Sequence, residues 1–587
     1  MSSVTTEASE AAPPTADQGE PAEPTAPGQR PPRLWRPSKA AVNQQLKALA
    51  AGSTQATSRR ILTRLSRQLQ AATGTAKRLH RIDTSIEALL ATASEAGAES
   101  PLLFEAATWV VAWRQGSKHA GSTASLAAAV VAEATAAGER LAEGDTSRAA
   151  FVLTANRLLP VERPGRPGPG ETLAWAACEA EIEKLVTPSG FLTLDHSAAA
   201  VRRVARWTHL REAAKATSKA ARKAKHAFSR KAEKRWKQAV AATLRLLGPG
   251  GKPVAGGETP PLPAACGDSI LRAALQHGSR DVRKAARLLR HAPAKQLKRE
   301  DDALEANLDD RQAAVAVLRS GWQGRPLRVV LDYRREQPHL EVAAGSRMLL
   351  QGPWQWEVRL GKRSLAAEGP WQVTHAEEDD DVTLLVIAAT LAGGLRLERH
   401  LLLGREDRVI LLADAVVDAA AEESPAEVTY RSSLPVSPGA AVTAAEETRE
   451  LTLGSSKPQA MLMPLAMPEW SAAPAAGSWG WQADADAVQL EQRSPVRRLF
   501  APVWLDLAPK RFNTQVTWRQ LTVADTRVIL RPEQAAGFRI QAGLTQWLLY
   551  RALDEPRNRT VLGCNLSSFF RLGKLDDDGL VSQMAEW

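Results

Sequence analysis

The sequence predicts an α+β multidomain protein, with a helical N-terminal half followed by a large antiparallel β-sandwich. Two observations carry this reading. Apolar residues recur at three- and four-residue spacing up to about residue 310, and beyond about residue 313 the period drops to two. The helix-like and strand-like runs also occupy separate stretches instead of alternating, which argues against a parallel α/β fold. At about 150 residues per unit, 587 residues allow three or four units, or fewer if the β part is large.

Residues 1–33 are rich in Pro, Ala, Glu and Thr and nearly free of large apolar side chains, so they predict a disordered tail. Residues 34–312 read as the helical domain, with runs such as Ile61, Leu65, Leu69 and Leu102, Ala106, Val110. Gly- and Pro-rich breaks at 160–170, 188–190 and 248–263 divide it into eight to ten helices. Residues 313–587 read as the sandwich domain. Arg328–Tyr333, Trp354–Arg359 and Gly394–His400 alternate apolar and polar residues, and Gly404–Asp407 makes a hairpin turn between Leu401–Leu403 and Val409–Leu412. Well over a dozen strands follow, enough for two large packed sheets.

Composition narrows the function classes. An apolar fraction of 44% with 24% charged residues is ordinary for a globular chain. Three distant cysteines (Cys178, Cys266, Cys564) exclude a disulfide scaffold and a multi-thiolate zinc site. No apolar run approaches the roughly 18 residues of a membrane span, and the first residues lack a secretory pattern, so a cytoplasmic setting is expected. Phosphate-binding loops, nucleophile elbows and zinc-binding helix motifs are missing, and no cofactor or metal is expected. The acidic run Glu377–Asp381 offers oxygen ligands to calcium but reads better as a solvated loop before a strand. Seventeen Trp stand against three Tyr (Tyr333, Tyr430, Tyr550), so a mechanism needing a tyrosine hydroxyl has few candidates.

The net charge of +11 is uneven: the helical half is strongly basic and the strand half is acidic. Between Arg202 and Lys237 lie fourteen Lys/Arg and only Glu212 and Glu233. Val204, Trp207, Leu210, Phe228, Trp236 and Val240 predict one long amphipathic helix through this segment, its cations drawing acidic polysaccharide, nucleic acid or another polyanion. Docking of that helix on the acidic sheet domain is the plainer alternative. At its start, Asp195 or Ser197 suits a helix cap, and His196 is either a capping histidine or a base.

In order along the chain, Pro188–Phe191 with Asp195–Ser197, then Leu246–Pro253, Gly267–Arg272, the strand Ala316–Trp322 ending in Arg-Ser-Gly-Trp, and the hairpin Leu395–Ala415 resemble the heparinase II/III-type polysaccharide lyases over about residues 85–587. The resemblance implies an incomplete (α/α) toroid, an antiparallel β-sandwich of the supersandwich kind, and an anionic, uronate-containing polysaccharide in the cleft between them. It also implies β-elimination, in which a base takes the proton beside the uronate carboxylate and an acid protonates the leaving oxygen. On this basis His339, His196 and Tyr333 are the candidate catalytic residues. Arg202, Arg203 and Arg206, with Trp207, His209, Arg319 and Trp322, are the candidate substrate-binding residues.

The chain departs from the family pattern at two points. Ala200 stands where the family places a tyrosine, and Arg335–Glu341 keeps one histidine, His339, of a His-x-His-x-Asp element. These departures leave three expectations: an eliminating enzyme using other groups, a catalytically degraded relative that binds the polymer, or a non-enzymatic scaffold or nucleic-acid-binding protein that uses the basic segment 202–237.

Overall fold

The computed structural model describes residues 37–587 apart from 54, 72–75, 116–122, 142–144, 160–169, 194–195, 218–227, 255–261, 263, 291–302, 419–425, 456 and 577. The tail expected at 1–33 and the possible cap Asp195 lie outside the described residues. Eleven α-helices occur among those described, more than the eight to ten expected: α1 (Lys39–Gly52), α2 (Ala56–Ala71), α3 (Ala76–Glu95), α4 (Ser100–Arg114), α5 (Thr123–Glu139), α6 (Thr146–Leu158), α7 (Glu171–Leu185), α8 (Ser197–Thr217), α9 (Arg230–Leu244), α10 (Ala264–His277) and α11 (Arg280–Arg290).

The helices form two shells. Inside, α1 touches α4, α4 touches α6, α6 touches α8, α8 touches α10, and α10 returns to α1. The intervening helices α2, α3, α5, α7 and α9 pack outside this ring. Sequence explains the sorting. Inner helix α4 is buried nearly all round and carries only Glu105 and Arg114 as charged residues, whereas outer helix α2 buries only Ser58, Leu62, Leu65, Ser66 and Leu69 on one stripe. Side-chain caps fix several starts: Ser38 accepts from the Ala41 amide at 3.1 Å, Asp145 from Arg148 at 3.0 Å and Ser229 from Ala232 at 3.3 Å.

The single long helix expected through the basic segment is not formed. Ser229 caps a new helix, and α9 packs against α8 through a buried Arg211–Glu233 ion pair of 2.6 Å and a Trp236 indole that donates to Thr208 Oγ1 at 3.2 Å. The apolar residues read as one face therefore belong to two packed helices. The joining residues 218–227 lie outside the described residues.

Among the described residues the β region has 27 strands in five antiparallel sheets rather than two. A five-stranded sheet (residues 308–353) meets the helices with one face, through Val315, Val317, Val330 and Trp322. Its other face, together with the sheet that contains Gln355–Leu360 and Val428–Pro435, packs on an eight-stranded sheet centred on Leu395–Gly404 and Val409–Asp418. The expected hairpin is there, with Gly404 opposite Val409. The far face of the eight-stranded sheet carries the C-terminal five-stranded sheet, and a small four-stranded sheet lies beyond it.

His400 lies in the layer between the eight-stranded and C-terminal sheets. It is fully buried, stacked on Phe570 with ring centroids 5.7 Å apart and edge-on to Phe500 at 5.9 Å, and neither ring nitrogen has a hydrogen-bond partner. Burial, reinforced by Arg551, pushes its pKa down to about 3 from an ordinary 6.5. Below pH 6.5 the unfolded chain binds a proton there that the folded chain refuses until about pH 3, so stability falls as pH drops through that window. His400→Phe is expected to raise the melting temperature, with a gap over the parent that widens between pH 7 and pH 5. Scanning fluorimetry across that range checks this, and a gap that stays constant contradicts it.

Candidate functional site

The inner ring encloses a cavity of about 300 Å³, within the usual range for small-ligand sites. Helix α8 supplies one wall. Ala199, Arg202, Arg206 and His209 recur at three- and four-residue steps and so share one stripe, with Arg203 beside them. Facing them are Gln45 of α1, Glu105 and Trp109 of α4, Ser147 and Thr154 of α6, and Cys266 of α10, with Glu99 from the turn before α4. Every one of these lining residues comes from the helical region, on α-helices or, for Glu99, on the turn before α4. The cations therefore line the bore of the ring and not a crevice between toroid and sandwich.

The charges in this bore are organised. Arg206 donates to Glu105 Oε2 at 3.1 Å, and burial raises the Glu105 pKa while Arg206 partly restrains it. Arg203 pairs with Glu181 at 2.6 Å and donates to Thr146 Oγ1 at 3.0 Å. Burial, with Arg272 nearby, pushes His209 down to about 4, so its imidazole is neutral at pH 7. Burial pushes the Cys266 thiol up to about 11, leaving it protonated and unreactive. The lining thus offers arginine donors for a carboxylate or sulfate, a neutral imidazole and a buried carboxyl.

The candidate residues separate into three groups. Arg202, Arg203, Arg206 and His209 come together in the bore. His196 and His339 flank a second region, the polar contact between α8 and the first sheet. There the Ser197 hydroxyl donates to the Glu341 carboxylate, and Arg328 joins Glu341 at 3.3 Å while donating to the Leu246 carbonyl at 2.5 Å. His196 Nδ1 accepts from the Ala199 amide at 3.1 Å, so this histidine takes the capping role that was one of its two readings, while Ser197 is engaged by Glu341. His339 lies two residues before Glu341 on the same side of its strand, and its Nε2 is buried without a hydrogen-bond partner. Ala200 is buried in the same packing and brings no hydroxyl.

The third group serves the architecture and does not reach either region. Tyr333 was expected beside His339 on the sheet side of the cleft, with His196 facing both, and is not there: its ring packs into the sandwich interior on the opposite side of that sheet, and its hydroxyl meets Asp309 at 3.3 Å. Trp207 is buried, with its indole donating to Glu181 Oε2 at 2.8 Å, so it cannot stack on a sugar. Arg319 is buried and donates to the carbonyls of Gly321 (2.7 Å), Arg245 (3.0 Å) and Leu247 (2.8 Å). Trp322 sits under it, donating to the Leu304 carbonyl at 2.6 Å. The Arg-Ser-Gly-Trp strand thus clamps the end of α9 onto the first sheet.

The neighbouring motifs are also packing devices. Gly190 takes a φ of +96°, and a Cβ there would lie 2.3 Å from the Gln238 carbonyl, so the Pro188–Phe191 loop closes on α9 only with glycine. A Cβ at Gly267 would lie 1.9 Å from the Gly251 carbonyl, which seats α10 on the Pro249–Gly251 turn. The acidic run forms a tight hairpin in which Asp379 accepts from the amides of Asp381 and Val382 at 2.9 and 2.8 Å. No group of three or more His, Cys, Asp or Glu suited to a metal occurs among the described residues.

Sequence reading missed Glu105, Glu99, Trp109 and Cys266. A signal existed for Glu105. It is a lone carboxylate in the apolar run from Pro101 to Trp113, and a buried carboxylate needs a cationic partner.

No protein-family model matches the chain, and no curated protein matches it by sequence. Solved structures do match in fold. The chain is similar to a crystal structure of heparinase III, with a TM-score of 0.55 and 10% identity over 89% of this chain and 94% of that one. It is also similar to a heparan sulfate lyase from Pedobacter heparinus, with a TM-score of 0.50 and 10% identity over 90% and 92%. At this identity the likeness is one of fold: a helical toroid followed by antiparallel sheets, the heparinase-like architecture.

Proposed function

We propose that, on this polysaccharide-lyase-like frame, the protein binds a uronate-containing anionic saccharide in the bore of the helical ring and does not cleave it. The observation that carries the proposal is the arginine-rich lining, Arg202, Arg203 and Arg206 on one wall of a cavity that is partly open to solvent, with no tyrosine among the residues that form it. Guanidinium groups suit planar carboxylates and sulfates because they bind through paired, charge-assisted hydrogen bonds.

The absence of cleavage follows from the proton-transfer groups. All three tyrosines are buried in the β region, with hydroxyls engaged by Asp309, Asp414 and Arg559, and burial raises the pKa of each. His209, with a pKa near 4, is a weak base. Loss of a positioned acid or base typically costs about a hundred- to ten-thousandfold in rate.

Incubation with heparan sulfate, chondroitin sulfate and alginate is expected to produce no ultraviolet absorbance from unsaturated uronate. Steady growth of that absorbance, lost in His339→Ala, would overturn the non-cleaving part of the proposal and make His339 the base.

A further inference from the structure

We infer that the outer face of α2, with the first turns of α3, is a second polyanion-binding surface that takes an extended stretch of anionic polysaccharide outside the ring. The polymer class rests on the function proposed above; the surface itself is argued independently. Helix α2 holds four arginines and no acidic residue. Its buried stripe faces inward, and Arg60, Arg64 and Arg67 are exposed on the opposite side. Their i, i+4, i+7 spacing strings three guanidiniums over about 10 Å of helix axis.

Helix α3 extends the row. Ser85 meets Gln68 at 2.9 Å and Arg78 donates to the Ala71 carbonyl at 3.1 Å, which sets exposed Arg78 and Arg81 beside the last turn of α2. The guanidiniums of Arg60, Arg64, Arg67 and Arg81 have no ion-pair partner among the described residues.

A solvated helix face ordinarily mixes signs, because like charges at i, i+4 destabilise a helix about as much as an opposite pair stabilises it. Here the repulsion is left uncompensated although acidic residues are plentiful elsewhere on the helices. The field of such a row draws a line of anions, and each anion neutralised releases counterions from the polymer. An extended chain with a charge on every repeat satisfies several arginines at once, whereas a short oligosaccharide satisfies few.

The test measures binding of long-chain heparin and of a heparin tetrasaccharide to the full chain over a salt series. The comparison is with Arg60→Gln/Arg64→Gln/Arg67→Gln/Arg81→Gln, a variant that relieves repulsion and is expected to melt no lower than the parent. Long-chain affinity at low salt is expected to fall about tenfold or more with a shallower salt slope, while tetrasaccharide binding stays unchanged. Equal long-chain affinity and slope in both proteins would overturn the inference. If neither protein binds the tetrasaccharide and the variant still loses the long chain, the bore fails as a sugar site and this surface stands. Duplex DNA of matched charge that binds the parent more tightly than heparin, and is lost in the variant, would overturn the polysaccharide assignment.

Discussion

Arg319→Ala is expected to destabilise the protein by about 3–5 kcal/mol, the usual cost of removing one partner from a buried, charge-assisted network. The Arg319 guanidinium is 1% exposed and satisfies three carbonyls, two of which belong to the residues that follow α9. Those two carbonyls lie in the turn that leaves the helix, and with alanine in place they stay buried without this donor. Trp322 also loses the cation 4.8 Å above its ring. Arg319→Lys is expected to recover part of the loss, since one ammonium reaches fewer carbonyls than a guanidinium fork. The check is the unfolding midpoint of the three proteins in denaturant. An unchanged midpoint for Arg319→Ala would mean that the clamp does not hold the helices to the sheet.

Arg206→Ala is expected to act twice. It leaves Glu105 buried without its cation, a loss of about 3 kcal/mol, and it removes a ligand donor, weakening binding of a uronate oligosaccharide by about 2 kcal/mol, or roughly thirtyfold. A second substitution separates these effects. In Arg206→Ala/Glu105→Gln the stranded charge is gone, so stability is expected to return toward the parent while affinity stays low. The stability loss of the single variant is also expected to shrink at acid pH, because the Glu105 pKa, already raised by burial, rises further once Arg206 is absent, and the protonated carboxyl carries no charge. Thermal melts at pH 7 and pH 5 with calorimetry at pH 7 provide the check. Recovery of both properties in the double variant would make the pair structural only.

How much the sequence revealed follows from the range of each signal. Periodicity and turn residues are local, so the order of helices and strands, the Gly404–Val409 hairpin and the pairing of motif loops with helix ends could all be read. Sheet membership is set by distant partners, so five sheets were read as two. The basic segment misled because its composition changes little across the break. Ser229, the residue that starts a new helix, is a single cap among cations, and α8 and α9 show themselves as separate only once Arg211 meets Glu233.

At the site, the arginines of α8 were legible because they open the densely basic run from Arg202 to Lys237. Their partner Glu105 lies about a hundred residues away and was hidden within an apolar run. Tyr333 shows the opposite limit. The scarcity of tyrosine and its place in the sequence near His339 suggested the cleft, but side chains alternate along a strand, and one residue moves a group to the other face.

The central claim is that the bore of the helical ring is an anionic saccharide site. Calorimetric titration of a short uronate oligosaccharide into the parent protein, Arg202→Ala and Arg206→Ala/Glu105→Gln tests it most directly. The account predicts saturable one-to-one binding by the parent and a loss of roughly tenfold or more in each variant. Binding of equal strength by all three proteins, or none by the parent, would contradict it.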